Sequence, residues 1–184
     1  MPARFQLVAS TPLCPCGYHG EGERCTCTPA QRAAYLGRLG GPVYDRIDIQ
    51  AMTYSFGFGE STAVLPEEER SEAVSRRVAR AREMQRRRLG EGRLNADMTA
   101  GEIARFCETD SFNADVAPVL ERLFTALGLS VRSYRPILKV ARTIADLEGS
   151  EEITAAHVAE AASYRFLDRR DALEGTVTTV CKAG

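Results

Sequence analysis

Val116-Ala117-Pro118-Val119-Leu120-Glu121-Arg122-Leu123-Phe124-Thr125-Ala126-Leu127-Gly128 carries apolar side chains at 116, 119, 120, 123, 124 and 127. Steps of three and four put these on one face of an α-helix, and Gly128 supplies a stop. Ile137, Leu138, Val140, Ala141, Ile144 and Ala145 repeat the pattern up to Gly149. Thr154 reads as the N-cap of a further helix carrying Ala155, Val158, Ala159 and Ala162. Upstream, Thr99 and Glu102 have the spacing of a capping box opening a short helix. Short connections between apolar faces predict a cluster of four or five helices able to form a core by itself.

Pro66 to Leu89 reads as one long helix leading into that cluster. Its first turn is acidic (Glu67, Glu68, Glu69) and its last is basic (Arg86, Arg87, Arg88), matching the helix dipole at both ends. The apolar stripe is thin: Val74, Val78, Ala81, and Met84 or Gln85. A thin stripe predicts one shallow contact and a large solvated face. Arg70, Arg76, Arg77, Arg80, Arg82, Arg86, Arg87 and Arg88 lie along it. Such a face either binds phosphates or is simply solvated, and no aromatic residues interleave to stack bases.

The first third of the chain is different. Arg4 to Ser10 is short, apolar and partly β-branched, which predicts a buried strand ended by Pro12. Thr28-Pro29 opens a helix through Ala33, Ala34, Tyr35 and Leu36 to the Gly40-Gly41-Pro42 break. The last part of Val43 to Ile49 alternates like a second strand, and residues 53–65 read as a loop. One or two strands cannot bury a sheet, so this part reads as the end of an α/β domain. The expected organisation is a mostly α chain: a partial α/β core over 1–65, a helical bundle over 66–167 and a loose tail over 168–184.

The 184 residues, 44% hydrophobic with a net charge of -1, give no global electrostatic reason to expect a nucleic acid or a membrane as partner. No apolar run approaches the roughly 20 residues of a membrane span. Met1 to Val8 lacks a basic segment followed by a long apolar core, so no secretory signal is expected and the expected compartment is the cytoplasm.

Four of the six cysteines fall within fourteen residues: Cys14-Pro15-Cys16, eight residues, then Cys25-Thr26-Cys27. Two thiol pairs facing each other across a short polar loop form the donor set of a tetrahedral, structural Zn²⁺. A reduced empty loop is the second reading, and disulfides are the third, since tight Cys-x-Cys pairs and a reducing compartment weigh against them. His19 is an alternative ligand, but four sulfurs suffice; His157 reads as structural. Cys107 reads as a small core residue and Cys181 as a free thiol in the tail. No Ser/His/Asp set or paired-carboxylate pattern stands out.

Several blocks in order carry a family resemblance. Pro2 to Ala9, Cys14-Pro15-Cys16-Gly17-Tyr18 and Gly41-Pro42-Val43-Tyr44-Asp45-Arg46-Ile47-Asp48-Ile49 resemble successive blocks of the magnesium-chelatase-like AAA+ ATPases of the YifB/ComM type. Leu127 to Arg132, Val140 to Leu147 and Glu160 to Arg165 resemble that family's C-terminal helical domain. The resemblance implies an α/β nucleotide-binding core followed by a helical lid, hexameric rings of like subunits, and use of ATP and Mg²⁺ to act on DNA, in the ComM type branch migration during transformation. This sequence has no G-x-x-x-x-G-K-[ST] phosphate loop and no apolar strand ending in Asp-Glu. The expectation is therefore the C-terminal portion of such an ATPase, not itself competent for hydrolysis, with Zn²⁺ structural and ATP-Mg²⁺ relevant only in the full-length context.

The resemblance also assigns individual residues. Arg46 matches the arginine-finger position, acting on a neighbouring subunit's γ-phosphate; the alternative is an arginine paired with Asp45 or Asp48. Arg132 matches the sensor 2 position at the start of a lid helix; the alternative is an exposed first-turn arginine whose aim depends on where the helix around Pro136 begins. The sensor 1 asparagine expected two residues before Cys14 is replaced by Pro12, which has no side-chain donor. The rival functional expectation is a stand-alone, zinc-stabilised module binding DNA or a protein, and a third is a split or decayed gene product.

Overall fold

The computed structural model describes residues 5–20, 22–38, 40–53, 70–110 and 112–168. The chain divides into two compact units, residues 1–40 with 171–184, and residues 41–170. Among the described residues the secondary structure is entirely helical.

The first unit contains a 3₁₀ turn, Gly22–Arg24, and helix α1, Pro29–Gly37. Thr28 caps α1: its hydroxyl accepts from the Gln31 amide while the Gln31 side chain accepts from the Thr28 amide. Leu36 is the buried residue of this helix. The strand expected over Arg4 to Ser10 is not formed among its described residues. Phe5, Leu7 and Val8 are exposed. A strand is defined by its ladder, and no neighbouring strand lies among the described residues to bond with.

The second unit opens with a single helical turn, α2, Gly41–Tyr44, and the strand expected over the last part of Val43 to Ile49 is not formed. Pro42 at the start of a turn favours helical φ, and Arg46 and Ile47 donate back to the carbonyls of Val43 and Tyr44. The expected α/β core remnant therefore has no strand among the described residues; the expected loop over 53–65 falls almost wholly outside them. The long helix, α3, runs Ser71–Leu89; residues 66–69 and 169–184, within the expected helix start and tail, also lie outside the described residues.

The bundle comprises α3, α4 (Ala100–Phe106), α5 (Ala117–Leu127, entered through a π turn at Phe112–Val116), α6 (Tyr134–Glu148) and α7 (Ala155–Ser163). Helix α6 is central: it packs on α3, α4 and α7. Its residues Ile137, Leu138, Ala141 and Ala145 are fully buried, joined by Phe112, Val116, Leu120 and Val158. Each large apolar side chain buried this way contributes about 1.5–3 kcal/mol relative to exposure. The stops are where the sequence places them: Gly128 (φ 60°) and Gly149 (φ 81°) adopt the left-handed conformation after α5 and α6. Cys107 is buried in this core, and burial pushes its thiol up to about 11.

Candidate metal centre

The cysteine loop is shaped by its turns. The Gly17 amide donates to the Cys14 carbonyl at 3.1 Å, closing the Cys-Pro-Cys-Gly segment into a turn. Gly17 (φ 84°) and Gly20 (φ 94°) take the left-handed conformation needed to send the chain back. The Arg24 guanidinium stacks over the Tyr18 ring at 4.2 Å across the returning loop. Arg32, on α1, donates to the Cys27 carbonyl at 2.7 Å and ties the end of the loop to the helix.

These constraints bring Cys14, Cys16, Cys25 and Cys27 together, with all four sulfurs within 4.8 Å of one another. Cys14 Sγ lies 3.3 Å from Cys16 Sγ and 3.9 Å from Cys25 Sγ, and Cys16 Sγ lies 3.7 Å from Cys25 Sγ. Four thiolates about 2.3 Å from a tetrahedral ion stand about 3.8 Å apart. A disulfide requires about 2.05 Å. The four thiols are free, and their spacing fits one shared metal ion rather than two bridges. His19 is half-buried and does not join the four-sulfur group; burial, then the charge on Arg32, lowers its pKa.

The electrostatics match that geometry. Cys16 is lowered to about 6, first by the Tyr18 amide and then by the Cys14 thiol. Cys27 moves the other way, to about 11: the Cys16 amide lowers it, but the Cys16 and Cys14 sulfurs and desolvation outweigh that donor. Cys25 is also raised, its Cys27 amide contact outweighed by desolvation and by Cys16 and Cys14. One thiolate is favoured and the others are penalised by its presence. A dication among the four sulfurs reverses that penalty, because the thiolate is the form that ligates.

Arg46 and Arg132 lie in the second unit. Arg46 is exposed, in the turn after α2, and donates to the Pro42 carbonyl at 2.7 Å. Arg132 lies in a 3₁₀ turn, Val131–Ser133, ahead of α6, so Pro136 sits in the first turn of α6 and Arg132 stands outside the helix. Its guanidinium meets Asp45 at 3.4 Å. Asp45 thus pairs with Arg132, and Arg46 has no ion pair among the described residues.

Sequence reasoning missed what holds this region. Arg165, 1% exposed, donates to the Ile47 carbonyl at 2.5 Å and approaches the Asp45 carbonyl at 3.4 Å. Gln50 accepts from the Leu167 amide, and its own amide donates to the Tyr164 carbonyl. The segment bearing Arg46 is therefore fastened to the end of the helical unit. The available signal was a chain that alternates like a strand yet opens Gly-Pro, with an arginine at 165 just past an apolar helix.

Two family models match, in the order of the two halves. "Magnesium chelatase, subunit ChlI" covers residues 1–60, with all four cysteines and Arg46. "Magnesium chelatase, subunit ChlI C-terminal" covers residues 68–165, the helical bundle with Arg132. The chain belongs to the magnesium chelatase subunit ChlI family. Among the family's members it is 43% identical over 168 residues to the uncharacterised protein YifB of Escherichia coli (strain K12), across 91% of this chain and 32% of that protein. It is 41% identical to the competence protein ComM of Haemophilus influenzae over the same shares, and 36% identical to an uncharacterised protein of Mycobacterium tuberculosis across 89% of this chain and 32% of that one. The chain spans about a third of the length of these family members. None of its described helices is long and apolar enough to cross a membrane.

Proposed function

We propose that this chain is the C-terminal portion of a YifB/ComM-type AAA+ ATPase whose whole performs ATP-driven DNA remodelling in a ring of like subunits. Phe5 to Ser10 is then the sensor 1 strand of an α/β core, which accounts for its exposed apolar side chains: they pair and pack only beside strands supplied from outside the described residues. The bundle is the lid. Cys14, Cys16, Cys25 and Cys27 hold a structural Zn²⁺, whose chemistry is that of a cross-link. The cytoplasm, where thiols stay reduced, is the compartment in which that site persists.

The observation that carries the reading is the common placement of Arg46 and Arg132. Both side chains are exposed at one edge of the helical unit, with Asp45 adjoining the first in sequence and pairing with the second. Arg46 acts as the arginine finger and Arg132 as the sensor 2 residue, each aimed at a phosphate that this chain does not itself cradle. Without a phosphate loop or an Asp-Glu strand end, the chain alone does not hydrolyse ATP.

The test is a graft. Residues 1–165 replace the corresponding region of the Escherichia coli YifB relative, whose remaining length supplies the rest. With Pro12→Asn restoring the sensor 1 side chain, the graft is expected to hydrolyse ATP, and Arg46→Ala in that graft to reduce kcat on the order of a thousandfold or more. The isolated chain is expected to show no thermal shift with ATP-Mg²⁺. Undiminished hydrolysis in the Arg46→Ala graft, or a shift of the isolated chain, overturns the assignment. The arginine-rich α3 favours one rival, a zinc-stabilised module that binds DNA without ATP chemistry; it predicts an inactive graft.

A further inference from the structure

Helix α3 concentrates positive charge in a chain that is nearly neutral. It holds seven arginines against Glu72 and Glu83, a net charge of +5, where the whole chain is -1. The arginines divide into two groups. Arg86 and Arg87 pair with Glu83, Arg86 also with Glu91 at 2.8 Å, and Arg88 turns inward to Asp146. Arg76, Arg77, Arg80 and Arg82 are exposed and have no ion pair among the described residues.

At 3.6 residues per turn, Arg76 and Arg80 fall about 40° apart, on the side of α3 opposite its buried residues Ala81, Gln85 and Leu89. Ala73 and Ala79 flank them on the same side of the helix. Small side chains beside the guanidinium groups leave room for a bulky anion to approach. Like charges four residues apart destabilise a helix by a few tenths of a kcal/mol, a cost that a bound polyanion removes.

We infer that the face of α3 bearing Arg76, Arg77 and Arg80, which fall within one arc of about 100°, binds the phosphate backbone of duplex nucleic acid without reading its sequence. This deepens the DNA part of the preceding reading by naming the contact surface. The four-residue rise from Arg76 to Arg80 is about 6 Å. One strand of duplex DNA carries a charge every ~3.4 Å of axis, so about two phosphates of the nearer strand face these three guanidinium groups. Guanidinium forks match phosphate oxygens in pairs. Aromatic anchors are missing, and Val78 is the one large apolar side chain exposed on this helix, which disfavours both a protein interface with a buried hot spot and the stacking of single-stranded bases.

The experiment is fluorescence anisotropy of a fluorescein-labelled, mixed-sequence DNA duplex titrated with the 184-residue chain across a salt series. Arg76→Gln with Arg80→Gln is expected to weaken binding and to reduce the slope of log K against log salt by about 1.8, since each phosphate contact contributes about 0.9. Arg86→Gln with Arg87→Gln, whose charges Glu83 and Glu91 already balance, is expected to change the slope by less than half as much. Circular dichroism checks that both variants keep their helix content. Three results overturn the inference: no duplex binding by the unaltered chain, an unchanged slope in the Arg76/Arg80 variant, or binding of polyglutamate with the same salt slope as duplex, which assigns the face to an acidic protein. No nucleotide enters these titrations, so their failure leaves the ATPase reading standing, and the failure of the graft leaves this surface standing.

Discussion

The two compact units are closed by different forces. In the described part of residues 1–40, the buried apolar residues are Cys14 and Leu36. The helical unit buries a cluster of sixteen apolar residues drawn from α3 through α7. One unit holds its shape by backbone turns, two arginine contacts and four sulfurs; the other holds it by exclusion of water. A small unit that buries so little apolar surface needs a staple, and a metal held by the sulfur cluster would do for the first what the packed face of α6 does for the second.

The largest effect should come from removing the staple. Chelation, or Cys14→Ser with Cys25→Ser, is expected to abolish amide-exchange protection in α1 and the cysteine loop while leaving α3 to α7 protected. Structural zinc sites contribute on the order of 10–16 kcal/mol of apparent binding energy, more than so small a unit can replace. Metal analysis of the purified chain should find one Zn²⁺ per molecule. Equal loss of protection in both units, or no loss in either, breaks the contrast between them.

The helical unit has its own non-apolar element, and its disruption ranks second. Asp146, fully buried, pairs with Arg88 at 2.5 Å and Arg142 at 3.2 Å and accepts from the Asn95 amide at 2.8 Å. Arg142 also donates to the carbonyls of Glu151 and Ser150, pinning the turn after α6. Asp146→Ala leaves the buried Arg142 and the part-buried Arg88 without their carboxylate and is expected to cost about 3–5 kcal/mol in denaturant unfolding of the helical unit. The amide protection of α1 should not change. A loss well under 1 kcal/mol would mean that water reaches these arginines.

The bundle was legible because its signals are local. Apolar spacing at 116–127 and 137–145, hydroxyl caps at Thr99 and Thr154, and glycines at 128 and 149 each act within one or two turns. The sulfur cluster was legible for the same reason, since fourteen residues of chain hold all four ligands. The two expected strands failed because a strand is a relationship between segments: the apolar run at Phe5 to Val8 and the alternation before Ile49 fit a strand only if a neighbour exists. The Gly41–Gln50 segment instead satisfies its carbonyls with Arg165, a residue more than a hundred positions away. The inward turn of Arg88 was equally hidden, since its neighbours Arg86 and Arg87 face water. Arg142 did leave a trace, an arginine amid Val140, Ala141, Ile144 and Ala145 with an aspartate four residues on.

The third effect is local. Arg165→Met keeps the apolar stem but removes the donors to Ile47 and Asp45, leaving buried carbonyls unsatisfied at about 1–3 kcal/mol. Exchange at Arg46, Ile47 and Gln50 should accelerate while the core of α6 stays protected. Arg132→Ala removes only the exposed 3.4 Å pair with Asp45 and should change stability by less than about 1 kcal/mol. If both variants unfold the whole unit alike, the segment is part of the bundle's cooperative core rather than fastened to its end.

The smallest effect is a pH dependence at the entry to α4. Glu102 is held down to about 2, first by Arg93, whose guanidinium grips both carboxylate oxygens, and then by the Thr99 amide. A carboxylate lowered on folding stabilises the native state above its unfolded pKa, and that contribution fades as pH falls from about 4.5 toward 2. Glu102→Gln should therefore lower the denaturation midpoint of the helical unit at neutral pH and flatten its acid limb over that interval. The cysteine unit is expected to respond to acid for another reason, since protonating thiolates would release a metal held there. Following α1 and α4 separately during an acid titration distinguishes the two. Glu102→Gln should move the α4 transition alone, and a matching change at α1 would show that acid unfolds both units through one event.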